Sequence, residues 1–122
     1  MPRELTLVST EPWTLPLLVP AAVRVDGTLA PRMLFDGWFT QLVDSADVAV
    51  LTVELSRCVD DPFDIERLTE LPRGGRLPTQ AQVWWTEATA PWGPAGEPGV
   101  RIARNLAEVL GARLLVTDGS TQ

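Results

Sequence analysis

Four stretches of the chain concentrate β-branched and aromatic residues or alternate apolar with polar positions, and turn formers flank them. Such segments are typical of β-strands. We therefore predict strands over residues 4–8, 47–56, 81–87 and 113–117. In the second strand one side is wholly apolar and consists of Ala49, Leu51, Val53 and Leu55. Its other side turns polar at Thr52 and Glu54, so the predicted sheet has one buried face and one partly open face.

Helical periodicity is clearest in "GVRIARNLAEVLGA", where apolar residues recur three or four positions apart and Gly111 follows as a stop signal. This pattern predicts a helix over 98–110. An aspartate before a proline predicts a short helix over 62–71. The apolar residues of "PRMLFDGWFTQLVDSA" predict another helix over 33–45, although a glycine in its interior weakens it.

The segment "EPWTLPLLVPAAVRV" is ambiguous, because its three prolines disfavour both a regular helix and an inner strand. We expect half of it to form a short helix and "AAVRVDGTLAPRM" to form a hairpin that turns at Asp26-Gly27. These elements together predict an α+β or mixed α/β fold in a single two-layer domain over 1–122. The predicted sheet has about four to five strands with helices packed on one face, and the 98–110 helix covers the Leu51 and Val53 side.

The composition excludes much chemistry. The chain of 122 residues has 16 acidic and 10 basic residues, all 10 of them arginine, and it has no histidine, lysine or tyrosine. Imidazole bases, lysine Schiff bases and His-containing zinc sites are therefore impossible. We predict no enzyme activity, no catalytic residue, no metal and no cofactor; Glu54 and Glu87 are the remaining candidates for acid–base work.

The net charge of -6 argues against nucleic acid as a partner, because phosphate contacts need a basic surface. No apolar run reaches the length of about 20 residues that a membrane span needs, and the N-terminus lacks the pattern of a signal peptide. The single cysteine, Cys58, cannot form an internal disulfide, which suits a reducing compartment. We therefore predict a cytoplasmic protein without membrane association.

Three of the five tryptophans lie in "AQVWWTEATAPWGPAGEPG". Successive strand residues point to opposite faces, so we expect Trp85 to point inward and Trp84 outward. One interpretation is that the N-terminal proline-rich segment or a hairpin covers Trp84. The other is an exposed aromatic patch with an acidic rim that anchors a protein partner. The predicted partner-binding residues are Gln82, Trp84, Thr86, Glu87, Trp92 and Glu97.

The closing segment "GVRIARNLAEVLGARLLVTDGS" consists of a helix ending in Leu-Gly, a strand and an acidic turn. In this segment and in its general type, the chain resembles small immunity proteins of bacterial polymorphic-toxin systems. The resemblance implies tight binding to a toxin domain, with acidic groups that steer toward a basic cleft. Two alternatives stay open: a structural or regulatory subunit, which includes a homodimer joined through the open sheet face, and a small-ligand-binding domain with indole walls.

Overall fold

The structure, a computed structural model, describes residues 3–59 and 83–117. These ranges form a seven-stranded sheet and two α-helices, which confirms the predicted α+β class, whereas the expected number of strands was too low. The strands are β1 Arg3–Ser9, β2 Ala30–Leu34, β3 Phe39–Val43, β4 Ala49–Glu54, β5 Arg57–Val59, β6 Val83–Ala90 and β7 Arg113–Thr117. The helices are α1 Leu15–Val23 and α2 Glu97–Leu110.

The strands lie in the order β2-β3-β4-β6-β1-β7, and β5 also pairs with β6. Every pairing within the described ranges is antiparallel. Val53 pairs with Ala88 and Arg57 pairs with Trp85. Three residues lie between Val53 and Arg57, but only two lie between Trp85 and Ala88 on the partner strand. A one-residue bulge therefore bends the chain between β4 and β5.

The hydrophobic core lies between the two helices and one face of the sheet. Leu5 and Leu7 of β1 enter it from the sheet, and the 98–110 prediction is confirmed by α2, whose Leu106 shares this core with Leu51. The helix sits very close to β4, because a Cβ atom added at Gly99 would overlap the carbonyl oxygen of Val50. Glycine at this position therefore allows the sheet and the helix to touch through their backbones.

The proline-rich segment contributes α1, as half of it was expected to do. Pro16 lies in the first helical turn. A backbone N–H there would have no intrahelical acceptor, so proline loses no helical hydrogen bond at this position. Leu18, Ala21 and Ala22 are buried at helical spacing. The Asn105 side-chain amide of α2 donates a hydrogen bond of 3.1 Å to the carbonyl of Ala21, which ties the two helices together.

The helix predicted over 33–45 is wrong, because this segment is the hairpin of β2 and β3. Thr40 and Leu42 are fully buried while their neighbours Phe39 and Gln41 are partly exposed, which is the period of two of a strand. The hairpin turns at Asp36-Gly37 rather than at the predicted Asp26-Gly27. The latter pair instead lies in the turn from α1 to β2, where the Asp26 carboxylate accepts two hydrogen bonds from Thr28.

The helix predicted over 62–71 lies outside the described residues. Within the described ranges, neither helix combines the length and the apolar character that crossing a bilayer requires.

Candidate functional site

The predicted orientation of the adjacent tryptophans is wrong. Trp84 pairs with Ser9, Thr86 with Leu7 and Ala88 with Leu5, and directly paired residues share a face of the sheet. Because Leu5 and Leu7 are core residues, the even-numbered positions of β6 face the helices. Trp84 is therefore half-buried on the core side, and Trp85 is half-buried on the open side.

Thr86 is fully buried and belongs to a hydrogen-bonded junction rather than to a binding surface. Its hydroxyl oxygen lies 2.7 Å from that of Ser56. The Ser56 hydroxyl also accepts a bond of 3.1 Å from the backbone N–H of Trp13, whose indole N–H donates to the Glu54 carbonyl at 2.7 Å. These contacts fix the chain after β1 against the bend between β4 and β5.

Trp92 and Glu97 lie at the other end of β6 from Trp84. At roughly 3.3 Å per strand residue, the six steps from Trp84 to Ala90 alone place the two tryptophans on the order of 20 Å apart. Trp92 is 52% exposed, and the Glu97 carboxylate forms an ion pair of 3.0 Å with Arg3. Gln82 lies outside the described residues. The predicted site residues thus do not form one surface.

Glu54 and Glu87, in contrast, are brought together on the open face of the sheet. Burial raises the pKa of Glu54, and the neighbouring Glu87 carboxylate raises it further by repulsion. The Arg57 guanidinium, 3.7 Å from the Glu87 carboxylate, opposes this rise in the pKa of Glu54. The pair borders a cavity of about 130 Å³ whose other polar side chains are Glu4, Thr6, Thr89 and Thr117.

A second candidate surface, which the predicted helix over 33–45 had concealed, lies where β2 turns into β3. Four large apolar side chains are exposed there, and we refer to them as the tip cluster: Met33, Phe35, Trp38 and Leu55. Phe35 is 74% exposed, Trp38 61% and Met33 60%. The Leu55 N–H donates a 3.0 Å hydrogen bond to the carbonyl of Trp38, which holds the bend after β4 beside the turn.

The turn that presents the tip cluster has an unusual backbone. Phe35, Asp36 and Gly37 have φ values of 54°, 56° and 91°, so three consecutive residues are left-handed. Glycine adopts such values freely and aspartate tolerates them, but for a bulky residue they cost roughly 1–2 kcal/mol. An apolar ring that is both exposed and strained is expected where presentation of the ring matters more than stability.

A sequence signal for this surface does exist. "LFDGWF" places aromatic residues on both sides of an Asp-Gly pair, the strongest short hairpin signal after Asn-Gly. In the structure the last pair of the hairpin is Leu34 with Phe39, so the loop has four residues and includes Phe35 and Trp38. The helical interpretation concealed this arrangement because it assigned the aromatic residues to a buried helix face.

A further cavity of about 380 Å³ lies at the opposite end of the sheet, between the start of α2 and the β3–β4 turn. Apolar residues form most of its lining, and three charged residues also line it: Asp26, Asp44 and Arg101. Both carboxylates already serve local turns, Asp26 toward Thr28 and Asp44 toward the N–H groups of Ala46 and Val48. Hydrogen bonds from Thr28 lower the pKa of Asp26.

Within residues 3–59 and 83–117, no group of three or more acidic or cysteine side chains is arranged to hold a metal ion. No protein-family model, curated protein or solved structure matches the chain.

Proposed function

We propose that this protein is a non-catalytic protein-binding domain of the immunity type, which binds a toxin domain and neutralises it. The observation that carries the proposal is the tip cluster. Trp38 and Phe35 expose most of their surface, and aromatic residues supply many of the dominant contacts in protein interfaces. Single exposed apolar residues need no explanation, but a cluster on a strained turn supports a binding role.

The proposal assigns no catalytic role to Glu54 and Glu87. A raised pKa next to a second carboxylate is a feature that acid–base catalysis can use. The adjoining cavity of about 130 Å³, however, is well below the roughly 300–1,000 Å³ of ordinary ligand pockets. The pair is better suited to the acidic margin of an interface, where carboxylates steer a basic partner.

The cavity of about 380 Å³ favours a second function, the binding of a small ligand at the end of the sheet far from the tip cluster. Its volume falls within the range of ligand pockets. The engagement of Asp26 and Asp44 in turn hydrogen bonds leaves Arg101 as the lining group best placed to orient such a ligand. The affinity for a protein partner distinguishes the two functions. Substitutions in the tip cluster should weaken it, whereas Arg101→Ala should not.

Affinity purification of the tagged protein from cells that encode it tests the proposal. We expect one stoichiometric protein partner that inhibits growth when produced alone and is harmless when produced with this chain. Recovery of the chain without any stoichiometric partner would contradict the proposed function. A partner whose toxicity is unaffected by the chain would contradict the immunity role.

A further inference from the structure

The tip cluster carries apolar groups on both faces of the hairpin. Met33 pairs with Thr40, whose own partner Val53 belongs to the core side of the sheet. The Met33 methyl group reaches over the turn, 3.5 Å from the position that a Cβ of residue 37 would occupy. This methionine therefore covers the helix side of the turn.

Phe35 covers the opposite face. Its ring packs edge to face on that of Phe39, with centroids 5.8 Å apart. Phe39 pairs with Glu54, which lies on the open face together with Glu87. Since the exposed methionine and the exposed phenylalanine lie on opposite sides of one thin hairpin, a flat surface can cover only one of them. A cleft that receives the hairpin covers both.

The charges around the hairpin indicate which sign of charge this cleft carries. The Asp36 carboxylate is exposed at the turn itself, and Glu54, which pairs with Phe39, has Glu87 as its neighbour. Among the described residues the nearby cations have other contacts. Arg57 lies 3.7 Å from Glu87, and Arg32 extends away from the tip to Asp47 and Gln41. The end of the hairpin therefore presents negative charge between two apolar faces.

We infer that the tip cluster enters a cleft of the partner whose two walls are apolar and whose floor carries a cationic side chain that meets Asp36. The inference rests on the proposed function and adds the shape and charge of the surface recognised. Burial of both faces supplies the apolar contact, and the cation neutralises a carboxylate that would otherwise lose its water without compensation. A toxin whose cleft binds an anionic substrate would be blocked by the hairpin itself.

Asp36→Asn and Asp47→Asn form a matched pair of test variants. Both residues are exposed and left-handed, with φ values of 56° and 64°, and asparagine tolerates this conformation as well as aspartate does. They lie in turns at opposite ends of β3. With the purified partner, we expect Asp36→Asn to raise Kd by about thirtyfold or more, the effect of removing one member of a buried charge pair. Asp47→Asn should change Kd by less than about twofold, because Arg32 keeps its two hydrogen bonds to Gln41 and stays directed away from the tip.

Photo-crosslinking tests the shape. Benzoylphenylalanine in place of Met33 or of Phe35 should crosslink to two opposing walls of the same cleft in the partner. Crosslinks from only one of the two positions, or equal effects of the two asparagine variants on Kd, would overturn the inference. A 1:1 complex observed together with such a result would leave the proposed function standing. Failure to obtain any stoichiometric partner would remove both.

Discussion

The rings of Phe35 and Phe39 meet at an interplanar angle of 72° with their centroids 5.8 Å apart. Edge-to-face pairs of this kind stabilise by about 0.5–1.5 kcal/mol. This range overlaps the cost of about 1–2 kcal/mol for a phenylalanine in the left-handed region. The contact therefore offsets much of the strain at Phe35 and leaves the outer surface of its ring available for a partner.

Comparison of Phe35→Asn with Phe35→Ala separates backbone strain from ring contact. Both variants lose the contact with Phe39, but asparagine tolerates the left-handed conformation and alanine does not. We expect Phe35→Asn to be nearly as stable as the natural protein and about 1 kcal/mol more stable than Phe35→Ala in urea denaturation. Equal stability of the two variants would show that residue 35 is not held at a positive φ.

Thr40 and Thr86 are both fully buried but differ in hydrogen bonding. The Thr40 hydroxyl has no partner, whereas that of Thr86 lies 2.7 Å from the Ser56 hydroxyl. We expect Thr40→Val to stabilise the protein by about 1 kcal/mol, because it removes an unsatisfied polar group at nearly constant volume. Thr86→Val should cost about 1–2 kcal/mol, because it breaks a buried hydrogen bond. Denaturant midpoints of the two variants that shift in the same direction would contradict this assignment.

Gly99 and Gly27 give a second matched pair. A Cβ at residue 99 would overlap the Val50 carbonyl oxygen, whereas a Cβ at residue 27 would have no heavy atom within 4 Å. Gly99→Ala should therefore separate α2 from β4 and cost about 3 kcal/mol or more. Gly27→Ala should change stability by less than about 0.5 kcal/mol. A thermal unfolding midpoint of Gly99→Ala close to that of Gly27→Ala would show that the helix and the sheet are not in contact there.

Glu54 makes the stability of the fold depend on pH. Its pKa is raised in the folded state, so between the ordinary value near 4.5 and the raised value the folded protein binds more protons than the unfolded chain. Stability is then lost as pH rises through this window. We expect Glu54→Gln to be more stable than the natural protein at pH 7, by less than about 1 kcal/mol because solvent screens the pair, and to lose this advantage below the window. A variant that is less stable at pH 7 would contradict the repulsion between Glu54 and Glu87.

The sequence predicted the elements whose periodicity lies within one segment. The α2 pattern is long, ends at Gly111 and was found at nearly its true bounds, as were β1 and β7. The helix expected over 33–45 failed because Phe35, Trp38, Phe39 and Leu42 recur at the three- and four-residue spacings of a helix, although the segment forms two paired strands. The chain also contains three Asp-Gly pairs, at 26–27, 36–37 and 118–119, and local preference does not decide which of them closes a hairpin.

The orientation of Trp84 and Trp85 and the proximity of Glu54 and Glu87 were harder to predict because they depend on strand register. The face of β6 that points to the core is set by its pairing with Leu5 and Leu7, which lie about eighty residues earlier. The predicted orientation of β6 was reversed because the apolar Val83, at the start of the strand, suggested the core side. Val83 is buried, but it lies on the same side of β6 as Trp85, which is the open side. The proximity of Glu54 and Glu87 likewise arises only when β4 pairs with β6. These relationships are tertiary, and no single segment encodes them.

The affinity of Trp38→Ala for the purified partner, measured by calorimetry beside Trp92→Ala, tests the central claim most directly. Both indoles are more than half exposed and lie toward opposite ends of the sheet, so the two variants differ mainly in location. We predict that Trp38→Ala leaves the melting temperature nearly unchanged and weakens binding by about 2 kcal/mol or more, whereas Trp92→Ala weakens it by less than about 0.5 kcal/mol. Full affinity of Trp38→Ala, or a loss confined to Trp92→Ala, would contradict the assignment of the tip cluster as the anchor.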